Sequence, residues 1–157
     1  MDLDRERASF PGATSLPQGC PWWELKLDLL LPCSISGLIN SEMAAALRTP
    51  AIVPAANAPF QQPQLADDLR RRGVRVLPDP LVNAGAVIAD SIERFSPEAW
   101  KDAGAKDVYA FVREEVRQRA SDYLNQLDQG LSVTAALEEV AATPSTEPIG
   151  LSFGENT

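Results

Sequence analysis

The sequence predicts an α/β fold, in which a parallel sheet of about three strands is followed by C-terminal helices. Three short apolar runs, at residues 25–34, 51–56 and 74–77, alternate with segments of helical pattern. Short buried strands that alternate with helices are typical of a parallel sheet covered on both faces. After the third run the pattern is helical as far as residue 142, which places the remaining helices at the C-terminal end.

Proline lies near the end of each predicted strand. The first strand (LKLDLLLPCS) contains Pro32, the second (AIVPAA) contains Pro54, and Pro78 follows the third (VRVL). Proline lacks the N–H that a strand donates to its neighbour, so the first and third strands are expected to stop at Pro32 and Pro78. Pro54 argues against the second strand unless that strand already ends there.

The helices between the strands have capping residues at their ends. We predict a helix at residues 39–47 with its N-cap at Asn40 or Ser41. A second helix is predicted at 64–72, with Gly73 as its C-terminal stop.

Three more helices are predicted after the third strand, at residues 83–95, 106–127 and 132–142. The first begins at a polar cap, Asn83, and the last begins at Ser132. In the longest of the three, apolar residues recur with the 3.6-residue period of an amphipathic helix.

The chain is expected to consist of three parts. Residues 1–24 are rich in proline, glycine and polar residues and are expected to be irregular. Residues 25–142 form the folded domain, and residues 143–157 are expected to be a disordered tail because they are mostly small and polar.

Composition and charge exclude several classes of function. No apolar run approaches the roughly 20 residues of a membrane span, and no secretory leader is visible, so a cytoplasmic protein with no membrane partner is expected. The net charge of −8 argues against nucleic acid as a partner. The one basic run, from Arg70 to Arg72, is expected to be solvated and to complement the dipole of its own helix.

Histidine is absent from the sequence, which removes the commonest general base and the Ser-His-Asp type of catalytic triad. The two cysteines, Cys20 and Cys33, are expected to be free thiols. No cluster of cysteine and histidine suggests a zinc site.

Ligands of open parallel sheets bind beyond the carboxyl ends of the strands, so the residues that follow each strand are candidates for a site. These residues are 32–34, Asn57 and 79–85. The amides of Asn57 and Asn83 can both donate and accept, as a carboxamide ligand such as nicotinamide requires. Asparagine is also common in turns and caps, and residue spacing alone leaves both interpretations open.

Three strings carry a family resemblance. LDLLLPCSISGLIN, AIVPAANAPF and GVRVLPDPLVNAGAVIADSIE resemble, in order and spacing, the segments D-x-x-x-P-C/A-A…I-N, I-V-x-G-A-N-x-P and G-I-x-x-x-P-D-x-x-x-N-A-G-G-V. These segments belong to amino-acid dehydrogenases of the glutamate/leucine/phenylalanine/valine group. The resemblance is specific over residues 27–93 and loose over 94–142. It implies a partial Rossmann-like NAD(P)-binding domain.

The resemblance also implies positions for a cofactor, NAD or NADP. Pro32, Cys33 and Ser34 would line the cofactor cleft with backbone groups. Asn57 would lie by the nicotinamide ribose and Asn83 by the nicotinamide ring.

The helix after Asn83 would face the substrate pocket, with Val87 and Asp90 at positions that touch the substrate side chain in the family. Two positions depart from the family pattern. Ala86 replaces the second glycine of the N-A-G-G string, and Asp90 stands where relatives carry a small polar or apolar residue. Asp90 therefore either disfavours acidic and apolar substrates or is simply solvated.

The sequence lacks other parts of such an enzyme. It has no G-x-G-x-x-G turn, and none of its three lysines, Lys26, Lys101 and Lys106, lies in a matching motif. We therefore expect the C-terminal part of an NAD(P)-dependent amino-acid dehydrogenase, incomplete as a catalyst alone. Its partner would be a complementary dehydrogenase chain or another copy of itself. The alternative is a non-catalytic remnant or interaction module that keeps the fold.

Overall fold

A computed structural model describes residues 12–142. A single 3₁₀ turn at Trp22–Glu24 precedes the regular elements. The residues 1–11 of the segment expected to be irregular, and the tail expected to be disordered, lie outside the described residues. The elements are α1 (Ser41–Ala46), β1 (Ala51–Ile52), α2 (Gln64–Arg71), β2 (Arg75–Val76), α3 (Asp79–Val82), α4 (Gly85–Phe95), α5 (Pro97–Asp102), α6 (Ala105–Asp128) and α7 (Val133–Ala142).

The predicted α/β class is confirmed. Strands β1 and β2 are parallel, with Ala51 beside Arg75 and Ile52 beside Val76. Helix α2 connects them, so the unit is a strand–helix–strand crossover of the kind that parallel pairing requires.

The count of three strands is wrong, because residues 25–34 do not form a regular strand. They make only isolated parallel bridges, from Lys26 to Arg48 and from Leu30 to Ile52. The N–H groups of Leu27 and Leu30 both donate toward the neighbouring segment although they are three residues apart. A regular strand turns the same side toward its neighbour every second residue, so the pairing is interrupted at this point.

Two of the three predicted N-caps, Asn40 and Ser132, are confirmed. The Asn40 side chain accepts a hydrogen bond of 2.8 Å from the N–H of Met43 and begins α1. The Ser132 hydroxyl accepts one of 3.1 Å from the N–H of Ala135 and begins α7. These bonds satisfy N–H groups that the first helical turn leaves without partners.

Gly73 ends α2 as predicted, in a left-handed conformation with φ of 85°. Its N–H donates to the carbonyl of Arg70, and the N–H of Val74 donates to the carbonyl of Leu69. This pair of bonds is the Schellman motif, which turns the chain directly from α2 into β2.

Gly73→Ala is expected to lower the free energy of unfolding by about 1 kcal/mol, because an L-residue with a Cβ disfavours this conformation. Urea denaturation measures the change. Gly73→Asn is the matched variant, since asparagine tolerates the left-handed region, and it should retain most of the stability. Equal losses in the two variants would contradict the conformational explanation.

The segment between β2 and α4 differs from the prediction of one helix at residues 83–95. A separate turn, α3, begins at Asp79, and Asn83 is the residue that ends it. Helix α4 then starts at Gly85 without a side-chain cap. The prediction that Asn83 caps this helix is therefore wrong. Helix α5, which begins at Pro97, was not predicted.

Two apolar clusters form the interior. The first joins α1, α2 and both strands, and its buried residues are Ile39, Ala44, Leu47, Ile52, Leu65, Ala66, Leu69, Val74 and Val76. The second joins α3, α6 and α7, and its buried residues are Leu81, Tyr123, Leu127, Ala136 and Val140. Val133 packs against both clusters, so the sheet and the C-terminal helices share one continuous interior.

Polar contacts also join the C-terminal helices to the sheet unit. The buried Tyr123 hydroxyl of α6 donates to the carbonyl of Val76 at 3.0 Å. The Asp67 carboxylate of α2 accepts from the N–H of Val133 at 3.1 Å, at the start of α7. A carboxylate is favourable at this helix end because the unpaired N–H groups carry partial positive charge.

The arginines of the basic run from Arg70 to Arg72 were predicted to be solvated, but two of them bind other helices. Arg71 is exposed and pairs with Asp68 of the same helix, as a solvated residue would. Arg70 instead donates to the carbonyl of Leu127 at the end of α6, at 2.6 Å. Arg72 donates to the carbonyls of Ala44 and Leu47 at the end of α1. Two of the three guanidinium groups therefore satisfy the C-terminal carbonyls of other helices.

Candidate functional site

The segment that ends at Pro32 and the segment that follows β1 meet at the carboxyl edge of the sheet. Leu30 accepts a backbone hydrogen bond from Val53, and the carbonyl of Pro32 accepts two more, from Ala55 and Ala56. Each of the two bonds to Pro32 is 2.9 Å long. The first predicted loop is therefore fixed to the residues immediately before Asn57.

Asn57 and Asn83, each of which follows a parallel strand, lie in direct contact. The side-chain nitrogen of Asn83 donates to the side-chain oxygen of Asn57 at 2.8 Å. The two residues are 26 positions apart in sequence, so the contact depends on the crossover through α2.

Asp79 is a third member of this group. Its carboxylate accepts a hydrogen bond of 2.8 Å from the N–H of Ala58, the residue after Asn57. Ala58 has a φ of 43°, which is uncommon for alanine, and its carbonyl accepts a 2.7 Å bond from the N–H of Gly37. The sequence placed Asp79 in a candidate loop without a role. Two signals pointed to Asp79: its position directly after a strand and Pro78, and its match to the aspartate of the family segment P-D-x-x-x-N.

The Asn57–Asn83 pair leaves amide donors and an amide acceptor for a ligand. The bond between them uses the oxygen of Asn57 and one N–H of Asn83. The amide nitrogen of Asn57 and the amide oxygen of Asn83 make no hydrogen bond with another residue in the described part of the chain. Asn57 is exposed and Asn83 is half-buried, so these two groups form a site of complementary polarity on an accessible surface.

The three residues at the end of the first predicted strand, 32–34, differ in their exposure to solvent. Pro32 is buried, whereas Cys33 and Ser34 are exposed. The Cys33 thiol donates to the carbonyl of Leu31 at 3.2 Å, and both cysteines of the chain are free. The contact of Pro32 with the Asn57 loop is thus made by backbone bonds.

Val87 and Asp90 lie on α4, but only Val87 lines a cavity of about 410 Å³ between α4, α6 and α7. The wall is mainly apolar, and the polar side chains in it are those of Ser91, Glu115 and Arg119. Asp90 is exposed and is not among the lining residues. This position agrees with the interpretation in which the Asp90 carboxylate is solvated.

Residues 12–142 contain no group of three histidine, cysteine, aspartate or glutamate side chains placed to hold a metal ion. Within the same range, the helices are all too short or too polar to cross a lipid bilayer.

Curated proteins with similar sequences are amino-acid dehydrogenases. Phenylalanine dehydrogenase from Lysinibacillus sphaericus is 25% identical over 127 residues, which cover 80% of this chain and 33% of that protein. Valine dehydrogenase from Streptomyces albus is 37% identical over 82 residues, which cover 51% of this chain and 22% of that protein. The chain therefore spans about a third or less of the length of these relatives.

Solved structures support the same fold. The chain superimposes on L-tryptophan dehydrogenase from Nostoc punctiforme with a TM-score of 0.70 and 22% identity, over 87% of this chain and 40% of that one. It also matches a chain of the hetero-hexameric glutamate dehydrogenase from Thermus thermophilus, with a TM-score of 0.63 and 18% identity, over 89% of this chain and 36% of that one. At these identities the likeness shows the fold alone.

The sequence model of the Glutamate/Leucine/Phenylalanine/Valine dehydrogenase family matches residues 3–144, which is most of the chain. This match extends beyond the three motifs into the segment where the resemblance in motifs was loose. The chain belongs to the Glutamate/Leucine/Phenylalanine/Valine dehydrogenase family.

Proposed function

We propose that this chain supplies the nicotinamide end of the NAD(P) site of an amino-acid dehydrogenase. The contact between Asn57 and Asn83 carries the proposal, because it leaves an unused amide donor on Asn57 and an unused amide acceptor on Asn83, on two side chains that touch each other. A carboxamide ligand has the matching pair, a carbonyl oxygen that accepts and an amino group that donates. These residues therefore fit the nicotinamide group.

In this arrangement Asn83 would accept from the carboxamide amino group, and Asn57 would donate to the carboxamide oxygen rather than lie by the ribose as the family resemblance implies. The two bonds together fix the orientation of a ring, which a single hydrogen bond would not do. The backbone of Pro32, Cys33 and Ser34 forms the neighbouring wall. The chemistry that NAD(P) would supply when bound is acceptance of a hydride from an L-amino acid. The overall reaction, oxidative deamination, also consumes water and releases a 2-oxo acid and ammonia.

Residues 1–157 contain neither a Gly-rich turn nor a lysine in a family motif, so the proposed reaction would require groups beyond these residues. We propose that a complementary dehydrogenase chain or segment supplies them. The segment beside β1 offers a surface for it, since Leu29, Leu31 and Ile35 are 46%, 55% and 68% exposed. These three exposed apolar side chains are the part of the surface that we propose the second polypeptide covers.

Val87 is proposed to contact the apolar part of the substrate. It is 68% exposed and also lines the cavity between α4, α6 and α7, so it is accessible from outside. The exposed Asp90 carboxylate is not part of the cavity wall, so its proposed effect is to place a negative charge on the surface near the cavity.

Titration with nicotinamide mononucleotide tests the cofactor site. This probe carries the nicotinamide and its ribose without the adenosine half. In a ¹⁵N-labelled sample, we expect millimolar probe to shift the side-chain amide resonances of Asn57 and Asn83 in a saturable way. Asn125, exposed on α6, serves as an internal control. Absence of saturable shifts at Asn57 and Asn83 would contradict the proposal.

The second candidate is a non-catalytic interaction module with the dehydrogenase fold. The exposed apolar residues Leu29, Leu31 and Ile35 favour it, because an association surface requires no bound cofactor. Association with a dehydrogenase chain that survives replacement of both Asn57 and Asn83 by alanine, together with no response to the mononucleotide, would support this alternative.

A further inference from the structure

A closed ring of hydrogen bonds surrounds the start of α3. The Asp79 carboxylate accepts from the N–H of Ala58 at 2.8 Å, and the Asp79 carbonyl accepts from the N–H of Asn83 at 2.9 Å. The Asn83 side chain donates to Asn57, and the peptide bond from Asn57 to Ala58 completes the ring. Asp79 thus accepts hydrogen bonds both from Ala58, the residue after Asn57, and from Asn83.

The ring constrains the backbone conformation of Ala58. Among the described residues, Ala58 is the only non-glycine residue with positive φ. Alanine disfavours that conformation, so neighbouring contacts must hold it. The N–H of Ala58 is bonded to Asp79 and its carbonyl to Gly37, at 2.7 Å. A carboxylate accepts more strongly than a neutral group, which makes the Asp79 contact the stronger constraint.

We propose that Asp79 is a positioning residue, which sets the direction of the Asn57 and Asn83 amides by holding Ala58 in its left-handed conformation. This inference rests on the proposed nicotinamide site and adds a residue to it that does not touch the ligand. Without the carboxylate, the loop at Ala58 relaxes toward ordinary backbone angles. The oxygen of Asn57 then moves away from Asn83, and the free donor and acceptor no longer face the same side.

The test compares Asp79→Ala and Asp79→Asn in the full 157-residue chain, without ligand. Asparagine keeps an oxygen that can accept from Ala58, whereas alanine keeps none. We expect Asp79→Ala to speed amide hydrogen exchange at Ala58 by about tenfold or more, and to shift the side-chain amide resonances of Asn83. Asp79→Asn should remain within about threefold of the parent in exchange. Asp102→Ala, an exposed carboxylate at the end of α5, controls for the lost charge.

The titration with nicotinamide mononucleotide is then repeated on the three variants. Asp79→Ala should weaken saturable binding by about tenfold, and Asp79→Asn should restore it. Unchanged exchange at Ala58 and unchanged Asn83 resonances in Asp79→Ala would overturn the positioning role, whatever the ligand result. If Asp79→Ala does not fold, Asp79→Leu takes its place, because leucine keeps a branched side chain but has no hydrogen-bond acceptor. Unchanged exchange at Ala58 in that variant would overturn the positioning role as well. Loss of the loop order with no mononucleotide binding in the parent would leave Asp79 as a positioning residue and remove the nicotinamide site instead.

Discussion

Replacing Tyr123 with alanine is expected to lower the free energy of unfolding by about 3–5 kcal/mol, which is a large part of the stability of a small domain. Tyr123 is fully buried where the second apolar cluster meets β2, so its removal leaves a cavity and an unpaired carbonyl at Val76. Urea denaturation of the variant measures the loss. Tyr109→Ala on the same helix is the matched control, because 71% of that side chain is exposed and its loss should be small.

Tyr123→Phe separates the hydroxyl from the ring and has a characteristic pH dependence. Burial raises the pKa of Tyr123 to about 12, with Arg70 lowering it and Asp67 raising it. Because the folded pKa lies above the unfolded value near 10, the folded state holds a proton that the unfolded state releases between these values. The parent should therefore keep this stability below pH 10 and lose about 2 kcal/mol of it as the pH rises to 12.

In Tyr123→Phe this alkaline loss should be absent, while at neutral pH the variant should be about 1 kcal/mol less stable than the parent. The two denaturation curves are compared across pH 9 to 12, so that titration of the lysines cancels in the difference. A difference in stability that stays constant over this range would contradict the buried-phenol explanation.

Replacing Asn83 with alanine is expected to lower kcat/KM for hydride transfer about tenfold to a hundredfold in a complex with a complementary dehydrogenase chain. The variant loses an acceptor for the ligand and also leaves Asn57 without its orienting donor. Stopped-flow measurement of NADH formation gives the rate. Asn125→Ala removes the same side chain from an exposed position on α6 and should have normal kinetics.

The double variant Asn57→Ala with Asn83→Ala extends this test. Because the two side chains act through one hydrogen bond, their effects should not add, and the double variant should be little worse than Asn83→Ala alone. Fully additive losses would show that the two amides act independently. Unchanged kinetics in Asn83→Ala would remove this residue from the site.

The sequence predicts local features of this fold well, because their causes lie within a few residues. The caps at Asn40 and Ser132 and the stop at Gly73 each depend on bonds that span three to five positions. The first strand was predicted wrongly because an apolar run carries no sign of the interruption between Leu27 and Leu30. That interruption depends on the backbone of a neighbouring segment 21 positions away.

The proximity of Asn57 and Asn83 could be predicted from the sequence, but the contact of Asp79 with Ala58 could not. The rule that loops meet at the carboxyl ends of parallel strands brings Asn57 and Asn83 together. The same rule cannot indicate that the Asp79 carboxylate binds the N–H of Ala58, since this bond requires an unusual φ that alanine gives no reason to expect. Asn83 was misassigned as a helix cap because asparagine favours both caps and turns.

Helix α2 holds the ends of two other helices through Arg70 and Arg72, and its Asp67 holds the beginning of α7. Opening of this one helix therefore releases three attachment points at the same time. Native-state hydrogen exchange should show α2, the last turns of α1 and α6, and the first turn of α7 opening as a single cooperative unit in mild denaturant. The outer helices α4 and α5 lack these attachments and should exchange earlier.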